Sequence, residues 1–230
     1  GLDIAAGRVS GVVTEHRAIK ADQVVLAGGA WSQLFLRRHG ITIPQLSVRA
    51  TVAATAPLPQ VFDGAAVDDR LAFRWRADGG YTLAPSGFHE LFIGPDAFRA
   101  LGGYAKALLA DPLGTRLKIA APSGFPDAWG TKRRWADDAM SPFERMRILN
   151  PAPNMGKVAQ MARDFQATFP AVGKVQIKQA WAGMIDTMPD VVPVVDRAPL
   201  DGLTIATGMC GHGFGIAPAF GRIVARIVRG

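Results

Sequence analysis

A glycine-rich stretch near the C-terminus is the part of this sequence best suited to chemistry. Four of the eight residues in 208–215, GMCGHGFG, are glycine. Glycine loses more conformational freedom on folding than other residues, so such a run marks a place where the backbone must approach something closely. A short apolar strand at 203–206 precedes it, and apolar residues at helical spacing follow at 216–228. A loop that leads into a helix N-terminus offers unpaired N–H groups and a positive dipole end, which suit an anionic or electron-rich ligand.

The glycine spacing leaves a simple tight connection open as an alternative. The glycines at 208, 211, 213 and 215 do not match the Gly-x-Gly-x-x-Gly spacing of a phosphate-binding turn. Cys210 is the one cysteine in the sequence, which excludes an internal disulfide and a multi-cysteine metal site. We predict a packing role for Cys210 rather than a nucleophilic one, and no metal site.

The composition predicts an ordinary globular protein. The chain has 230 residues, of which 49% are hydrophobic and 20% charged, with a net charge of +7. The basic residues are scattered, and the clusters at 37–38 and 131–135 lack the interleaved aromatics of a nucleic-acid stacking surface, so nucleic-acid binding is not predicted. No stretch approaches the roughly 20 apolar residues of a membrane span, and residues 1–16 do not resemble a signal peptide. These features predict a cytoplasmic protein.

Strand and helix signals occur in separate runs rather than in strict alternation, which predicts an α+β fold. We expect a mixed or antiparallel sheet in the middle of the chain, with two helices packed on it, and Asp78-Gly79-Gly80 as a hairpin turn. We also expect a turn at 16–20 and a Pro- and Gly-rich connection at 111–130. The predicted strands are 9–14, 23–26, 46–56, 72–76, 81–84, 91–93, 175–181 and 203–206, and the predicted helices are 33–38, 97–109, 155–168 and 216–228.

Three motifs resemble those of the flavin-dependent amine oxidoreductases of the D-amino acid oxidase superfamily, which includes glycine oxidase, sarcosine oxidase and D-amino acid dehydrogenase. They are ADQVVLAGGAWS at 21–32, WAGMIDTMPDVVPVVD at 181–196 and GLTIATGMCGHGFGIAPAFGRIVARIV at 202–228, and they occur in the family's order and spacing. The resemblance implies FAD as cofactor and oxidation of a C–N bond of an amino acid or secondary amine by hydride transfer to the flavin.

The same resemblance implies a division of the chain and a set of cofactor contacts. Residues 1–45 and 182–230 would belong to a remnant of an FAD-binding α/β domain, and 46–181 to a substrate-binding domain. Gly183 stands where sarcosine-oxidase-like members carry the cysteine that links flavin covalently, which implies non-covalent FAD. The implied cofactor-binding residues are Val12, Val13, Gly28, Gly29, Ala30, Trp31, Gly183, Gly208, Gly211, His212, Gly213, Phe214, Gly215 and Ile216. For Trp31, the alternative is that it packs in the protein core.

The residues that anchor the substrate carboxylate in such enzymes are absent. Met184 and Ile185 stand where an arginine follows the motif glycine in glycine-oxidase-like members, and Gly215 stands where sarcosine-oxidase-like members have a lysine. The remaining candidates for substrate contact are Arg49, Arg74, Arg76 and Tyr81, and Arg49 and Tyr81 are also candidates for catalysis. The alternative for these residues is an ordinary position on the surface or in an ion pair.

Three further polar residues lie within the motifs. His212, flanked by glycines, is the best catalytic candidate among the histidines, because it could hydrogen-bond near the flavin ring or tune amine protonation. Asp186 and Asp190 are predicted to act in turns and caps rather than as catalytic acids. The substrate implied by the resemblance is a small amino acid or amine.

The sequence lacks the strand, Gly-x-Gly-x-x-Gly turn and helix that hold the FAD pyrophosphate in complete family members. We therefore expect it to be the C-terminal portion of a longer protein, which an N-terminal half, a partner chain or self-association would complete. The alternative is a truncated, non-enzymatic remnant that folds, binds no flavin and acts as an interaction module.

Overall fold

The computed structural model describes residues 1–110 and 115–230. The helices are α1 (Ser32–Arg38), α2 (Pro95–Ala110), α3 (Pro142–Arg145), α4 (Met155–Thr168) and α5 (Gly213–Arg229), with short 3-10 turns at Gly29–Trp31 and Pro170–Val172. The strands are β1 (Leu2–Ala5), β2 (Arg8–Val13), β3 (Ala18–Lys20), β4 (Val24–Leu26), β5 (Leu46–Thr55), β6 (Ala65–Val67), β7 (Leu71–Trp75), β8 (Tyr81–Pro85), β9 (His89–Phe92), β10 (Thr115–Lys118), β11 (Ile177–Thr187), β12 (Val194–Arg197) and β13 (Leu203–Thr207).

A seven-stranded sheet forms the middle of the chain, and it confirms the predicted fold class. Its order is β10-β9-β5-β8-β7-β6, with β11 paired to the other edge of β5. The β9–β10 pair is parallel and the other pairs are antiparallel, so the sheet is mixed. β5 is a long central strand with apolar residues at alternate positions over 46–52, and β11 pairs along nearly its whole length.

Helix α4 covers one face of this sheet. Val158, Met161 and Phe165 recur at helical spacing and are at most 2% exposed, so they form one stripe against the strands. Asn154 begins the helix, since its side-chain oxygen accepts from the Lys157 backbone N–H at 3.1 Å. Each of these buried side chains stabilises the fold by about 1.5 to 3 kcal/mol, which fixes the sheet as a rigid platform.

Two smaller sheets lie outside the central sheet. β13 pairs parallel to β4 and antiparallel to β12, and a separate sheet has the order β1-β2-β3. We expected the strands at 9–14, 23–26 and 203–206 to meet. β2 pairs with β1 and β3 in its own sheet, but it meets the other two strands through an Arg8–Asp201 bridge and an apolar cluster that includes Val9, Val24 and Leu203. The predicted turn at 16–20 is partly wrong for the same reason, because 18–20 pairs with β2.

The predicted connection at 111–130 is also partly wrong. Residues 115–118 form β10, and residues 111–114 lie outside the described residues. Sequence patterns missed β10 because its residues, TRLK, carry no clear alternation. In the described ranges, 1–110 and 115–230, no helix is both long and apolar enough to span a membrane.

Candidate functional site

The glycine-rich stretch divides into a five-residue loop and the first turn of a helix. β13 ends at Thr207 and α5 begins at Gly213, three residues before the predicted helix start. Gly208 and Gly211 have φ of +73° and +81°, which favours glycine. A Cβ on Gly208 would also lie 2.5 Å from the Met188 side chain. The loop therefore needs glycine at 208 for both conformation and space.

Helix α5 begins without a side-chain cap. His212 occupies the N-cap position, and its side chain makes no capping hydrogen bond. The first N–H groups of a helix have no intrahelical acceptor, so this turn keeps donors and the positive dipole end available. Gly215 in the same turn would meet nothing within 4 Å if it carried a Cβ. The helix start is thus an accessible group of backbone donors.

The buried carboxylate of Asp186 holds the beginning of the glycine loop. Its Oδ2 accepts from the backbone N–H of Gly208 at 2.7 Å and of Met209 at 3.3 Å. The Asp186 residue is only 9% exposed. Asp186 lies in β11 and not in a turn, and from there its carboxylate accepts from the backbone N–H groups at the start of the loop.

A second group of hydrogen bonds joins this loop to the turn at 28–31. The side-chain amide of Gln45 donates to the carbonyl of Gly29 at 3.2 Å, to Thr207 Oγ1 at 2.8 Å and to Asp186 Oδ2 at 3.2 Å. The Thr207 hydroxyl also lies 3.3 Å from the Gly29 carbonyl. The two backbone segments that the motifs single out are therefore adjacent, as the resemblance predicts.

Open surface lies beside the glycine loop, above strand β11. Gly183 pairs with Ala50, and a Cβ on Gly183 would meet no atom within 4 Å. Two residues further along, Ile185 lies 3.6 Å from the position of a Cβ on Gly211. Gly183 thus leaves room for a flat ligand against the sheet, next to the uncapped helix start, and these residues fit a flavin ring.

A cavity of about 360 Å³ adjoins this surface between the sheet, helix α2 and the glycine loop. Tyr104 fixes one wall, because its hydroxyl donates to the Thr187 carbonyl at 2.6 Å. Burial of the side chain is the main reason that the pKa of Tyr104 is raised, so this hydroxyl stays protonated. Most of the lining is apolar. It comprises Leu46, Val48, His89, Leu91, Tyr104, Leu108, Thr115, Ile185, Thr187, Met188, Pro189, Val191, Cys210 and His212.

The two polar loop residues at this cavity differ in their hydrogen bonding. The Cys210 thiol donates to the Gly208 carbonyl at 3.1 Å and accepts from the Met188 N–H at 3.3 Å. Burial raises the pKa of the thiol, which is the opposite of nucleophile activation. His212 is exposed, and its side chain is free of hydrogen bonds to the described residues. The geometry leaves His212, rather than Cys210, available to a ligand.

Arg49, a predicted substrate contact, lies on the face of the sheet opposite the cavity. Neighbouring residues in a strand point to opposite faces, and Val48 lines the cavity while Arg49 faces Glu90. Arg49 donates to Glu90 from Nε at 2.9 Å and from Nη2 at 2.6 Å, and Nη1 donates to the Ala152 carbonyl at 2.8 Å. Arg49 is the cation of a buried ion pair.

Tyr81 is likewise a core residue, and its predicted role at the substrate site is wrong. It is 0% exposed and packs against Trp75 and Phe165 with ring centroids 4.9 Å and 4.8 Å away. Its hydroxyl accepts from the backbone N–H groups of Val61 and Phe62 at 2.9 Å and 3.2 Å. A tyrosine with a satisfied hydroxyl and no exposed surface cannot contact substrate without unfolding this core.

Arg74 and Arg76 differ in their partners. Arg76 donates from Nε to Asp78 at 3.1 Å and from Nη1 to Thr82 at 3.2 Å, so it stabilises the hairpin turn. Arg74 is exposed on β7 opposite Thr82, and its guanidinium makes no ion pair or hydrogen bond with the residues at 1–110 and 115–230. Of the predicted substrate-binding arginines, Arg74 is the one whose charge is free for a ligand.

The remaining predicted cofactor residues lie in varied surroundings. Val12 and Val13 are in β2, paired with Ile19 and Ala18, and not in the sheet that carries the glycine loop. Trp31 packs edge-on against Phe143 at 5.3 Å, as a packing aromatic does, while Gly29 has φ of +52° with open space around it.

The apolar surface around helix α5 is extensive. The helix buries none of its residues, and Phe214 in its first turn is 101% exposed. Ile216 is half-buried and Ile223 is 42% exposed. An apolar surface of this kind is typical of a region that contacts another polypeptide or a ligand.

Sequence reasoning missed Gln45, Thr207 and Tyr104. Gln45 and Asp186 are separated by 141 positions, and no local pattern links them. A buried polar residue between apolar neighbours, as in the segment IPQLSV at 43–48, was the one available signal for Gln45.

Comparison with known proteins agrees with this geometry. A family described as FAD dependent oxidoreductase, DAO, matches residues 1–227. "D-amino acid dehydrogenase 2" of Mesorhizobium japonicum is 26% identical over 230 residues, which cover all of this chain and 42% of that protein. "Glycine oxidase" of Pseudomonas putida is 31% identical over 149 residues, covering 64% of this chain and 37% of that protein.

The fold is also similar to that of solved structures. The L-amino acid deaminase from Proteus myxofaciens in complex with anthranilate has a TM-score of 0.90 at 29% identity, with 100% of this chain and 51% of that chain covered. This chain therefore spans about half of that structure and less than half of the curated relatives above. The matched family, the order of the motifs and the fold show that this chain belongs to the DAO family of FAD-dependent oxidoreductases.

Proposed function

We propose that this chain supplies the substrate-binding part and the ring-side part of the flavin site in an enzyme that oxidises the C–N bond of an amino acid or amine. The observation that carries the proposal is the open surface above Gly183 beside the uncapped start of α5. Residues 46–181 would form the substrate-binding domain, and 1–45 with 182–230 would contribute to the FAD-binding domain.

The residues of this chain would hold the cofactor mainly by backbone contacts. Bound FAD would supply the acceptor for the hydride that leaves the carbon next to nitrogen. The N–H groups of the first turn of α5, at Gly213 and Phe214, would donate to its electron-rich edge, and the helix dipole would favour negative charge there. Gly183 would keep the sheet surface clear, and no cysteine stands at that position, which supports non-covalent binding.

The cavity supports a substrate with an apolar side chain. Its walls include Leu46, Val48 and Ile185, which would bury such a side chain and exclude water from the reacting carbon. His212 at the same cavity would hold or accept a proton from the substrate amine, so that the amine reacts in its neutral form. Arg74 lies outside this cavity lining, among residues of β6, β7 and β8, so we assign it no contact with a substrate bound there.

The test uses the full-length gene product loaded with FAD. Its oxidation of a panel of amino acids is measured with a dye as electron acceptor. Replacement of Gly183 by leucine fills the open surface and is expected to lower turnover about tenfold or more, a loss of about 1.4 kcal/mol in transition-state stabilisation. Gly130→Leu is the matched control, because Gly130 also has open space around a Cβ and lies in a loop outside the cavity lining.

Wild-type turnover by Gly183→Leu would contradict the proposed position of the flavin ring. A wild-type protein that binds no FAD and oxidises no amino acid or amine would favour the alternative, a folded interaction module without flavin.

A further inference from the structure

We propose that Asp186 is a positioning residue that fixes the glycine loop and the turn at Gly29 relative to each other. The two segments held in this way would contact the flavin, and in this respect the inference rests on the proposed function. The proposal assigns to Asp186 a task that none of the predicted site residues performs, because each of those would contact cofactor or substrate directly.

The first argument is the number of donors that meet at one oxygen. Oδ2 of Asp186 lies within 3.3 Å of four donors, and the residue is 9% exposed. The four are the backbone N–H groups of Gly208 and Met209, the side-chain amide of Gln45 and the hydroxyl of Thr207. Removal of this acceptor would leave some of the donors unpaired, because Gln45, Thr207 and Gly208 are buried away from solvent.

The second argument is that some backbone N–H groups of this region are bonded to Asp186 while others remain available to a ligand. Asp186 takes the N–H groups of Gly208 and Met209, which are therefore engaged inside the protein. The first turn of α5, five residues further on, keeps its donors because the helix start is uncapped. Asp186 thus anchors the base of the loop, while the donors at Gly213 and Phe214 stay available to a ligand.

The third argument is the link to the second backbone segment. Gln45 contacts both Asp186 and the Gly29 carbonyl, at 3.2 Å each, and Thr207 lies within 3.3 Å of the same two groups. One carboxylate therefore sets the separation of two segments that are 178 positions apart. Catalytic and binding groups need such supporting contacts to stay within a fraction of an ångström of the productive geometry.

The test compares two substitutions at Asp186. Asp186→Asn keeps an oxygen that can accept from Gly208 and Met209, whereas Asp186→Ala removes the acceptor. Asp190→Asn is the matched control, because Asp190 is exposed, belongs to the same segment and accepts only from the Val192 N–H at 3.1 Å among the described residues. Each variant is made in the full-length gene product.

The first measurement is hydrogen exchange of the Gly208 and Met209 amides without added FAD. We expect Asp186→Ala to speed their exchange about tenfold or more, Asp186→Asn to have a smaller effect, and Asp190→Asn to have none. Amides of helix α4 should keep their wild-type exchange rates, which separates a local release of the loop from general unfolding. Unchanged exchange at 208 and 209 in Asp186→Ala would overturn the proposal.

The second measurement is the dissociation constant of FAD, followed by flavin fluorescence. If the wild type binds FAD, Asp186→Ala should weaken binding about tenfold, and equal affinity would overturn the link to the flavin site. If the wild type binds no FAD, the proposed function fails, and the exchange measurement by itself still decides whether Asp186 positions the loop.

Discussion

Replacing Arg49 by methionine should destabilise the fold rather than weaken substrate binding. Glu90 is 1% exposed and accepts from Arg49 at 2.9 Å and 2.6 Å, and from the Asn154 side chain at 3.0 Å. The Lys118 amine lies 3.3 Å from the other side of the carboxylate. Arg49→Met removes one cation from this cluster and keeps an apolar side chain of similar length.

The expected loss follows from the burial of the pair. Removing one partner of a buried ion pair costs about 3 to 5 kcal/mol, because the other charge stays buried without compensation. We expect about 3 kcal/mol for Arg49→Met, since Lys118 and Asn154 still contact Glu90. A domain of this size loses about 2 to 4 °C in melting temperature per kcal/mol, which gives roughly 6 to 12 °C. The double variant Arg49→Met, Glu90→Leu should cost about 2 kcal/mol less than the sum of the single variants.

The pair also has a defined pH dependence. Burial by itself raises the pKa of Glu90, but the hydrogen bonds and the charge of Arg49, helped by Lys118 and Asn154, outweigh it, so the pKa lies below the ordinary value of 4.5. A carboxyl group whose pKa is lower in the folded state stabilises the fold at pH values above its unfolded-state pKa. This stabilisation is lost as the pH falls through the folded-state pKa. The difference in stability between wild type and Arg49→Met should therefore shrink below about pH 4.

Urea unfolding monitored by circular dichroism measures these free energies of unfolding. A loss of less than about 1 kcal/mol with no coupling in the double variant would match an exposed ion pair and refute the reasoning. Unchanged stability together with an increased KM would instead place Arg49 at the substrate, as its sequence position suggested.

Four further outcomes can be measured. His212→Asn should lower turnover more than FAD affinity, since the residue would act on the reacting complex, and an equal loss of both would indicate a structural role. Burial, followed by the charge of Asp96, raises the pKa of Asp127 to about 6, so the folded protein holds this proton more tightly than the unfolded chain does. The free energy of unfolding should therefore fall as the pH rises from about 4 to about 6, and urea unfolding of Asp127→Asn should show a smaller fall. The 230-residue chain expressed alone should self-associate in light scattering through its exposed Phe214 and Ile223, less so after both are changed to serine, and a wild-type mass of 24.4 kDa would contradict this. The same preparation should be colourless, because the sequence has no Gly-x-Gly-x-x-Gly turn, and a yellow protein with stoichiometric FAD would be the opposite result.

Local sequence patterns determined much of the architecture. The helical spacing at 155–168 predicted α4 with its observed bounds, and the Asp78-Gly79-Gly80 turn predicted the β7–β8 hairpin. The motif at 202–228 predicted a strand, a glycine loop and a helix, which the structure contains. These predictions succeed because periodicity and turn residues report backbone geometry within a few neighbouring positions.

The tertiary structure decided which side chains reach the candidate site. Arg49 and Tyr81 are in predicted strands, but the first pairs with Glu90 on the face away from the cavity and the second is enclosed by aromatic residues. Gln45 and Asp186 join the site through contacts with residues far away in sequence. Strand register and the packing of distant segments set these contacts, because a shift of one residue along a strand moves a side chain to the opposite face of the sheet.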